Sequence, residues 1–376
     1  MTLEYRLDRI QELCVMAKKR QKARLLFQDG SFFEGFLFGS SRSVSGEAVF
    51  QTGMVGYPES MTDPSYFGQI LVFTYPLIGN YGVPPLRKNE EGLFLNFESG
   101  RIQPKGIVVA SYSDEFSHWQ AQKSLEDWMK EQGVPGITGI DTRAITKKLR
   151  QGGSLLAKIV VESSHTDWYD PNAENVLPEV SCKKPIEYGR GKLRILLIDC
   201  GAKEGILRSL LKRGVSAVRV PFSADVSKYS YDGVLVSNGP GDPKQAKEPI
   251  ETLKKLLNGP KPKPIFGVCL GIQLMALASG ADTEKLPYGH RSQNQPCQDL
   301  ETKRCYVTSQ NHGFAVREKS LGPDWRLWFR NINDGTVEGI RHKSKPFFAV
   351  QFHPEAAPGP FDTNFLFDYF IDLCRK

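Results

Sequence analysis

Apolar and polar positions follow different patterns in the two halves of this chain. In the second half, the apolar run over residues 193–199 predicts a buried strand, and the GILRSLLKRG segment after it has the spacing of an amphipathic helix. Strand and helix patterns then alternate through the runs that contain Val234 and Phe266. This order predicts an α/β class with a doubly wound, mostly parallel sheet, whose sites follow the carboxyl ends of the strands.

The first half is less periodic, and short strand-like runs broken by glycine predict an α+β domain there. Three prolines and several charges over residues 167–191 are typical of a linker. Apolar residues recur at helical spacing near the N-terminus, which favours a helical extension. The predicted organisation is an extension over 1–22, a first domain over 23–166, a linker over 167–191 and a second domain over 192–376.

Composition narrows the class of partner. The chain is 40% hydrophobic and 24% charged, which is ordinary for a globular protein, and its net charge is +7. The basic clusters lack the interleaved aromatic residues of single-strand binders, so no nucleic-acid partner is predicted. No apolar run approaches the roughly 18 residues that cross a bilayer, so no membrane partner is predicted either.

Cysteine usage bears on metals and on the compartment. The seven cysteines include no C-x-x-C pair, so the sequence predicts neither a disulfide framework nor a metal site. Free thiols are stable in a reducing compartment, and we therefore expect a cytoplasmic protein.

Residues 263–277, KPIFGVCLGIQLMAL, place a cysteine between a short apolar run and a helix pattern. Gly267 and Gly271 flank Cys269 in G-x-C-x-G, the thiol counterpart of the G-x-S-x-G elbow, whose nucleophile occupies a strained strand-to-helix turn. The dipole and free N–H groups of a helix N-terminus favour a thiolate at that position. We predict that Cys269 is a nucleophile; the alternative is a buried structural cysteine.

A histidine and a carboxylate follow a second apolar run, in FFAVQFHPEAAPGP over residues 347–360. His353 and Glu355 are two positions apart, so in extended chain their side chains point to the same side. A nucleophilic cysteine needs a base, and the imidazole needs a group that holds its orientation. We predict these two roles; the alternative is a turn histidine beside a solvated surface charge.

Two turns could contribute further contacts. The run YDGVLVSNGPGDP over residues 231–243 ends in a turn where Gly239 and Gly241 would let backbone N–H groups approach a ligand, although it could equally be an ordinary tight turn. The TDPSY turn over residues 62–66 offers Asp63 and the Ser65 hydroxyl for hydrogen bonding a zwitterionic ligand. Taken alone, the second turn is more typical of a surface loop.

The segments GVCLGIQ, SNGPGDP and FHPE, in this order and spacing, resemble the class I (triad-type) glutamine amidotransferases from about residue 192 to the C-terminus. That resemblance implies a thiolate that attacks the side-chain amide of glutamine, releasing ammonia and leaving a thioester that water hydrolyses. It implies that Cys269 is the nucleophile, that His353 is the general base and acid, and that Glu355 orients His353. It also implies that Leu270, Gly239 and Gly241 stabilise the oxyanion and that Gln273 contacts the substrate.

The first half resembles the N-terminal domain of the carbamoyl-phosphate synthetase small chains, through residues 48–80 and GIDTRAITKKLR over 139–150, and so does SQNHGFAV over 309–316. This second resemblance implies that Ser65 reaches the bound glutamine and that Asn311, Gly313 and Phe314 line the same pocket.

The small-chain resemblance also implies a partner, either a large synthetase subunit or a fused synthetase domain. The partner would use ATP and Mg²⁺ to make carbamoyl phosphate from bicarbonate, and this chain would need no cofactor. Consistent with that division of labour, the sequence contains no Walker A motif.

One departure from the family pattern is Ser292, in the expected loop GHRSQNQP over residues 289–296, where a glycine is common. Serine is tolerated there unless the backbone needs a positive φ, so we expect activity to be kept.

Two other functions stay open, a free-standing glutaminase and a non-catalytic regulatory subunit. The sequence does not decide between arginine and pyrimidine synthesis.

Overall fold

The computed structural model describes residues 20–161 and 164–376, so most of the extension predicted over 1–22 lies outside the described residues. The chain divides into two compact units. The first consists of the residues up to Phe50, Gln69–Pro85 and Pro104–Tyr169, and the second of Gln51–Gly68, Leu86–Gln103 and Asp170–Lys376. Two segments of the first half therefore belong to the second unit, and the predicted domain boundaries stay a prediction.

The first unit is built mainly of short strands. They are β1 (Lys22–Phe27), β2 (Phe32–Gly39), β3 (Val44–Gln51), β4 (Gln69–Phe73), β5 (Leu77–Ile78), β6 (Gly106–Val108), β7 (Ser111–Tyr112), β8 (Pro135–Thr138) and β9 (Leu155–Val161). The helices of the described residues, in chain order, are α1 (Tyr57–Thr62), α2 (Leu125–Glu131), α3 (Thr142–Gly152), α4 (Leu177–Val180), α5 (Glu204–Leu211), α6 (Lys247–Leu257), α7 (Leu270–Ala278) and α8 (Phe365–Cys374).

Seven strands of the first unit close into a barrel in the order β1-β2-β8-β6-β4-β3-β9. Alternate residues of β1, namely Ala23, Leu25 and Phe27, are buried, as the period of a strand with one buried face requires. Asp141 is the N-cap of helix α3, and its carboxylate accepts a hydrogen bond from Ala144 N, which satisfies a free N–H of the first turn.

The second unit contains one ten-stranded sheet. Its strands are β10 (Ile186–Tyr188), β11 (Arg194–Asp199), β12 (Ser216–Pro221), β13 (Gly233–Val236), β14 (Ile265–Val268), β15 (Thr283–Asp299), β16 (Cys305–Val316), β17 (Trp325–Asn331), β18 (Val337–His342) and β19 (Phe347–Val350), in the order β10-β12-β11-β13-β14-β19-β18-β17-β15-β16. The strands β12, β11, β13, β14 and β19 are mutually parallel, and antiparallel strands extend the sheet on both sides.

Both faces of the parallel strands are buried. In β11, Leu196 and Ile198 belong to one apolar core, whereas Ile195 and Leu197 belong to another. Residues that alternate along a strand point to opposite faces of the sheet, so each core covers one face. This arrangement confirms the predicted α/β class.

The antiparallel extension was not predicted. Residues 289–296, expected to form a loop, lie within β15, where two register shifts interrupt the pairing with β16. Because a bulge interrupts the alternation of side chains along a strand, the polar residues of this segment show no strand period in the sequence. The segment predicted as a linker over 167–191 contains α4 and β10, and β10 pairs with β12 at the sheet edge.

The described residues show free thiols and no membrane-spanning helix. The six cysteines within the described residues are all free thiols. In the same part of the chain, no helix is both long and apolar enough to cross a membrane.

Candidate active site

Four neighbouring parallel strands of the second unit end at one edge of the sheet, and the candidate residues follow these ends. Cys269 comes directly after β14, His353 shortly after β19, and Asn238 and Lys203 shortly after β13 and β11. Parallel strands bring their carboxyl ends to the same edge, where open α/β sheets form their ligand sites.

Cys269 occupies a sharp turn between β14 and α7. Its φ is 56° and its ψ is −103°, and its N–H donates to Val350 O at 2.8 Å, continuing the pairing of β14 with β19. A positive φ in a residue that has a Cβ stores of order 1–3 kcal/mol of strain. This is the strand–turn–helix geometry that the G-x-C-x-G pattern predicts for an elbow.

The two glycines around Cys269 are needed for close packing. A Cβ on Gly267 would lie 2.8 Å from the carbonyl carbon of Gly271, and a Cβ on Gly271 would lie 2.5 Å from Val236 O. Both contacts are with backbone atoms, which cannot rotate away. Small residues at these two positions therefore let the helix begin directly against the strands.

The thiol of Cys269 is buried and faces polar groups. Its Sγ lies 3.6 Å from Asn311 O, to which the thiol donates, and 3.8 Å from Gln351 Nε2. Gln351 was not singled out from the sequence, although it stands between the apolar run of β19 and His353.

His353 and Glu355 form a buried pair. The imidazole Nδ1 lies 2.6 Å from Glu355 Oε1, and the backbone N–H of His353 donates to Ser309 O at 2.9 Å. In the part of the chain that the structure describes, Nε2 of His353 has no hydrogen-bond partner of good geometry. Glu355 thus fixes the ring through Nδ1, and Nε2 is available for proton transfer. The spacing of two positions indicated this arrangement.

Charges around this pair favour its ionised form. Burial alone would raise the pKa of Glu355, but the positive charges of Lys203 and His353 lower that pKa to about 2. Burial also disfavours the imidazolium of His353, yet the negative charge of Glu355, with a smaller contribution from nearby Cys269, raises the pKa of His353 to about 10. An imidazolium beside a thiolate is the pairing used by nucleophilic cysteines.

Lys203 is a buried cation that was missed in the sequence. Its Nζ lies 3.1 Å from Glu355 Oε1, and its backbone N–H donates to Asn238 Oδ1 at 3.0 Å. A second buried carboxylate, Glu98, forms an ion pair with Arg208 and adds negative charge near Lys203. These charges keep the pKa of Lys203 raised even though burial works against its charged form. The one feature of the sequence that could have indicated Lys203 is its position just after the predicted parallel strand over residues 193–199.

The turn that carries Ser65 is buried, contrary to the surface loop that local pattern favours. Asp63 caps the short 3₁₀ helix Pro64–Tyr66 by accepting from Ser65 N at 2.9 Å. The Ser65 hydroxyl accepts from Asn238 Nδ2 at 2.9 Å, and Asp63 Oδ2 accepts from Asn311 Nδ2 at 2.9 Å. The structure thus brings Ser65 and Asn311 into one hydrogen-bonded group.

Gln273 and Phe314 also lie together. The Gln273 amide donates to Phe314 O at 2.9 Å and to Gln351 Oε1 at 3.2 Å, so it holds β16 against α7. The ring of Phe314 lies under Lys285, 5.9 Å from Nζ, so the contact with Gln273 is through the backbone of Phe314. Gly313 lies close to Arg291, whose Nη2 would be 3.1 Å from an added Cβ.

The two turn glycines differ in their surroundings. A Cβ on Gly239 would lie 2.0 Å from Cys200 O and 2.8 Å from a methyl group of Leu270, which places this turn against the start of α7. Gly241 has a φ of 85°, and a Cβ there would meet Val176 instead. Gly239 and Leu270 are therefore brought together, while Gly241 shapes the outer part of the turn.

A small polar cavity adjoins His353. Asp63, Lys203, Asn311 and Ser292 contribute to its lining. The backbone of Ser292 is not in the left-handed region, so the glycine common at this position in the family is not required by φ.

A cysteine on a strained turn after a central parallel strand, with a buried His–Glu pair just after the neighbouring strand, is the arrangement expected of a class I glutamine amidotransferase. The family model described as "Glutamine amidotransferase class-I" matches residues 196–373. A second model, "Carbamoyl-phosphate synthase small chain, CPSase domain", matches residues 25–159. The chain belongs to the carbamoyl phosphate synthase small-chain family, which confirms the resemblance seen in the sequence.

Relatives of two kinds are similar to this chain. The arginine-specific small chain of carbamoyl phosphate synthase from Neosartorya fischeri is 49% identical over 365 residues, covering 95% of this chain and 80% of the relative. The multifunctional protein pyr1-3 of Dictyostelium discoideum is 49% identical over 375 residues, covering 94% of this chain. The multifunctional protein CAD of Squalus acanthias is 49% identical over 357 residues, covering 94% of this chain. The chain spans only 17% and 16% of these two multifunctional relatives.

Proposed function

We propose that this chain is the glutaminase component of a glutamine-dependent carbamoyl-phosphate synthetase. The observation that carries the proposal is the strained, buried Cys269 beside a His353–Glu355 pair whose charges stabilise an imidazolium. Strain at a non-glycine residue persists only where the surrounding structure enforces it, and it concentrates at functional sites. A cysteine with only a packing role would not need this turn.

The proposed reaction begins with attack by the Cys269 thiolate on the side-chain amide carbon of L-glutamine. The tetrahedral intermediate collapses as His353 donates a proton to the leaving nitrogen, so that ammonia leaves and a γ-glutamyl thioester remains. His353 then takes a proton from water, which attacks the thioester and releases glutamate and the thiolate. Glu355 and Lys203 hold the ring and its charge throughout.

The oxyanion would be stabilised at the start of α7. Leu270 is the first residue of that helix, and the first N–H groups of a helix lack intrahelical acceptors. The Gly239–Gly241 turn packs against Leu270 and would supply further N–H groups. Gly239 packs closely against Leu270 and the Cys200 carbonyl, so these N–H groups would be in place before the reaction begins.

The rest of glutamine would contact the polar group around Ser65. We propose that Ser65, Asn311 and Gly313 bind its polar atoms, and that Phe314 lines the same pocket. In the structure, Gln273 acts on this segment by holding Phe314 O. The Ser65 and Asn311 side chains are already fixed by Asn238 and Asp63, which preorganises the pocket.

The ammonia would pass to a synthetase partner, either a separate large subunit or a domain fused in a longer protein. That partner would use ATP and Mg²⁺ to form carbamoyl phosphate, and this chain would need no cofactor. We propose a cytoplasmic location, because a nucleophilic thiol requires a reducing compartment. The relatives include an arginine-specific small chain and multifunctional proteins, so the pathway stays open between arginine and pyrimidine synthesis.

The experiment is glutamate release from glutamine by the purified chain, alone and with a carbamoyl-phosphate synthetase large subunit plus ATP and bicarbonate. The Cys269→Ser variant is the control. Slow release that rises sharply with the partner supports the proposal. Fast release that is indifferent to the partner supports a free-standing glutaminase, and no release that depends on Cys269 under either condition supports a non-catalytic subunit.

A further inference from the structure

Two histidines and a glutamate form a buried cluster on three strands of the second unit, separate from the catalytic triad. His290 and His312 are directly opposed across β15 and β16, with ring centroids 4.9 Å apart. Glu338, on β18, brings its Oε1 to 3.3 Å from His290 Nδ1 and 4.0 Å from His312 Nε2. Three potential ligand atoms, one from each residue, lie within 4.8 Å of one another.

In each of the two histidines, the ring nitrogen that points away from the cluster lies within hydrogen-bond distance of an oxygen. His290 Nε2 lies 2.7 Å from Asp334 Oδ2, and His312 Nδ1 lies 2.8 Å from Phe314 O. These acceptors can hold the ring proton, and in that tautomer the other nitrogen of each neutral ring presents a lone pair to the cluster. Histidines that bind metals show this pattern, in which a carboxylate or a backbone carbonyl fixes the tautomer.

Some of the polar atoms that face the centre of the cluster lack hydrogen-bond partners. In the described part of the chain, His290 Nδ1 and Glu338 Oε2 are buried and have no hydrogen-bond partner. Asn331 donates to Glu338 Oε1 at 3.2 Å, which leaves the second oxygen unpaired. A buried carboxylate with an unpaired oxygen is costly unless a cation completes it.

The spacing suits a small transition-metal ion. Ligand atoms about 2.0 Å from a tetrahedral Zn²⁺ are about 3.3 Å apart, which is the distance from His290 Nδ1 to Glu338 Oε1. His312 Nε2 needs only a small side-chain shift to reach the same centre. Gln310 Oε1, 3.1 Å from His312 Nε2, or a water would complete the shell.

We propose that His290, His312 and Glu338 form a site for a divalent transition-metal ion, Zn²⁺ in the first instance. Two imidazoles and one carboxylate suit zinc, whereas Mg²⁺ and Ca²⁺ prefer oxygen-only ligands. The sequence predicted no metal site because that prediction relied on cysteine spacing, and these three ligands come from separate strands. Since His312 stands between Asn311 and Gly313, the ion would tie the substrate-pocket segment of β16 to β18.

A proton competes with the ion for this position. Burial lowers the pKa of His290, but the neighbouring carboxylates of Asp334 and Glu338 outweigh burial and raise that pKa to about 9. A protonated His290 would bridge the two carboxylates without metal, so the test must detect the ion directly.

The test uses the full chain as its Cys269→Ser variant, because the Cys269–His353 pair could itself bind zinc. Chelator-treated protein is titrated with Zn²⁺ by calorimetry. We expect one equivalent to bind, and we expect His290→Gln and Glu338→Gln, each made in this variant, to weaken binding at least tenfold. His342→Gln removes a histidine from the same β18 strand outside the cluster, and it should leave binding unchanged.

Zinc-edge X-ray absorption on the loaded Cys269→Ser protein identifies the ligands even if a cluster variant fails to fold. Nitrogen and oxygen neighbours with imidazole scattering are expected. A sulfur neighbour, the absence of a stoichiometric binding event, or undiminished binding in both folded cluster variants would overturn the proposal.

Discussion

Lys203 and Glu355 form an ion pair in which both side chains are buried, with Nζ 3.1 Å from Oε1. Because Glu355 also binds Nδ1 of His353, a single carboxylate oxygen links the cation to the imidazole. The lysine compensates the carboxylate when His353 is neutral, so the carboxylate stays ionised through the proton transfers of the proposed reaction. We regard Lys203 as a positioning residue, because it acts through Glu355.

Replacing Lys203 by methionine should destabilise the protein and impair glutaminase activity. The substitution leaves Glu355 as a buried carboxylate without its cation, and removing one partner of a buried pair costs about 3–5 kcal/mol. Urea unfolding measures the free energy, and glutamate release measures the activity. Lys343→Met, at an exposed lysine, is the matched control and should change the free energy of unfolding by less than about 0.5 kcal/mol. Equal stabilities of the two variants would contradict the proposed burial of an essential pair.

The ionised Glu355 should also make stability depend on acid pH. Its folded pKa of about 2 lies below the ordinary value of 4.5, so its contribution is present above pH 4.5 and is lost as the pH falls towards 2. This pKa shift corresponds to about 3 kcal/mol of folding stability, which arises from the interactions of Glu355 with Lys203 and His353. The measurement is the difference in free energy of unfolding between the parent and Glu355→Gln. That difference should shrink through this pH window, and a constant difference would show that the carboxylate is not ionised in the fold.

Much of the fold of the second unit follows from short-range patterns. The buried run of β11 and the glycine-flanked Cys269 each combine strand period, turn chemistry and helix period within a few residues. The closed barrel and the bulged β15 depend on pairing between distant, irregular strands, which local patterns do not encode. Fold class was therefore predictable, whereas the strand partners were not.

The candidate site divides in the same way. His353 and Glu355 could be paired from their spacing, because two positions in extended chain suffice. Lys203 could not be found, because a lysine in a chain with 49 basic residues is indistinguishable from a surface charge until Glu355 is placed beside it. His290 and His312 were missed because their contact depends on the register of β15 with β16.

Close packing around Cys269 predicts that a single added methyl group destabilises the turn there. In Gly271→Ala the new Cβ would lie 2.5 Å from Val236 O, a backbone atom, so α7 must shift away from β13. We expect a loss of about 1–3 kcal/mol in the free energy of unfolding, together with a large loss of glutamate release. Gly322→Ala is the control, because no atom of the described residues lies within 4 Å of the added Cβ. If both substitutions are tolerated equally, the turn is not as tightly packed as the structure shows.

The strain at Cys269 predicts an inverted order of stability between alanine and glycine. At φ 56° and ψ −103°, alanine keeps the unfavourable backbone contact of a Cβ, whereas glycine removes it. Both variants lose the thiol and should release no glutamate, so they differ only in the methyl group. We expect Cys269→Gly to be more stable than Cys269→Ala by about 1 kcal/mol, as judged by urea unfolding.

An exposed position within a regular helix provides the reference for this comparison. At Lys255, in α6, alanine should exceed glycine by about 1 kcal/mol, because glycine loses more backbone entropy on folding. Opposite orders at the two positions would establish that the fold holds Cys269 under strain. The same order at both would mean that the turn at Cys269 is relaxed, and the strain argument for its role would then have to be abandoned.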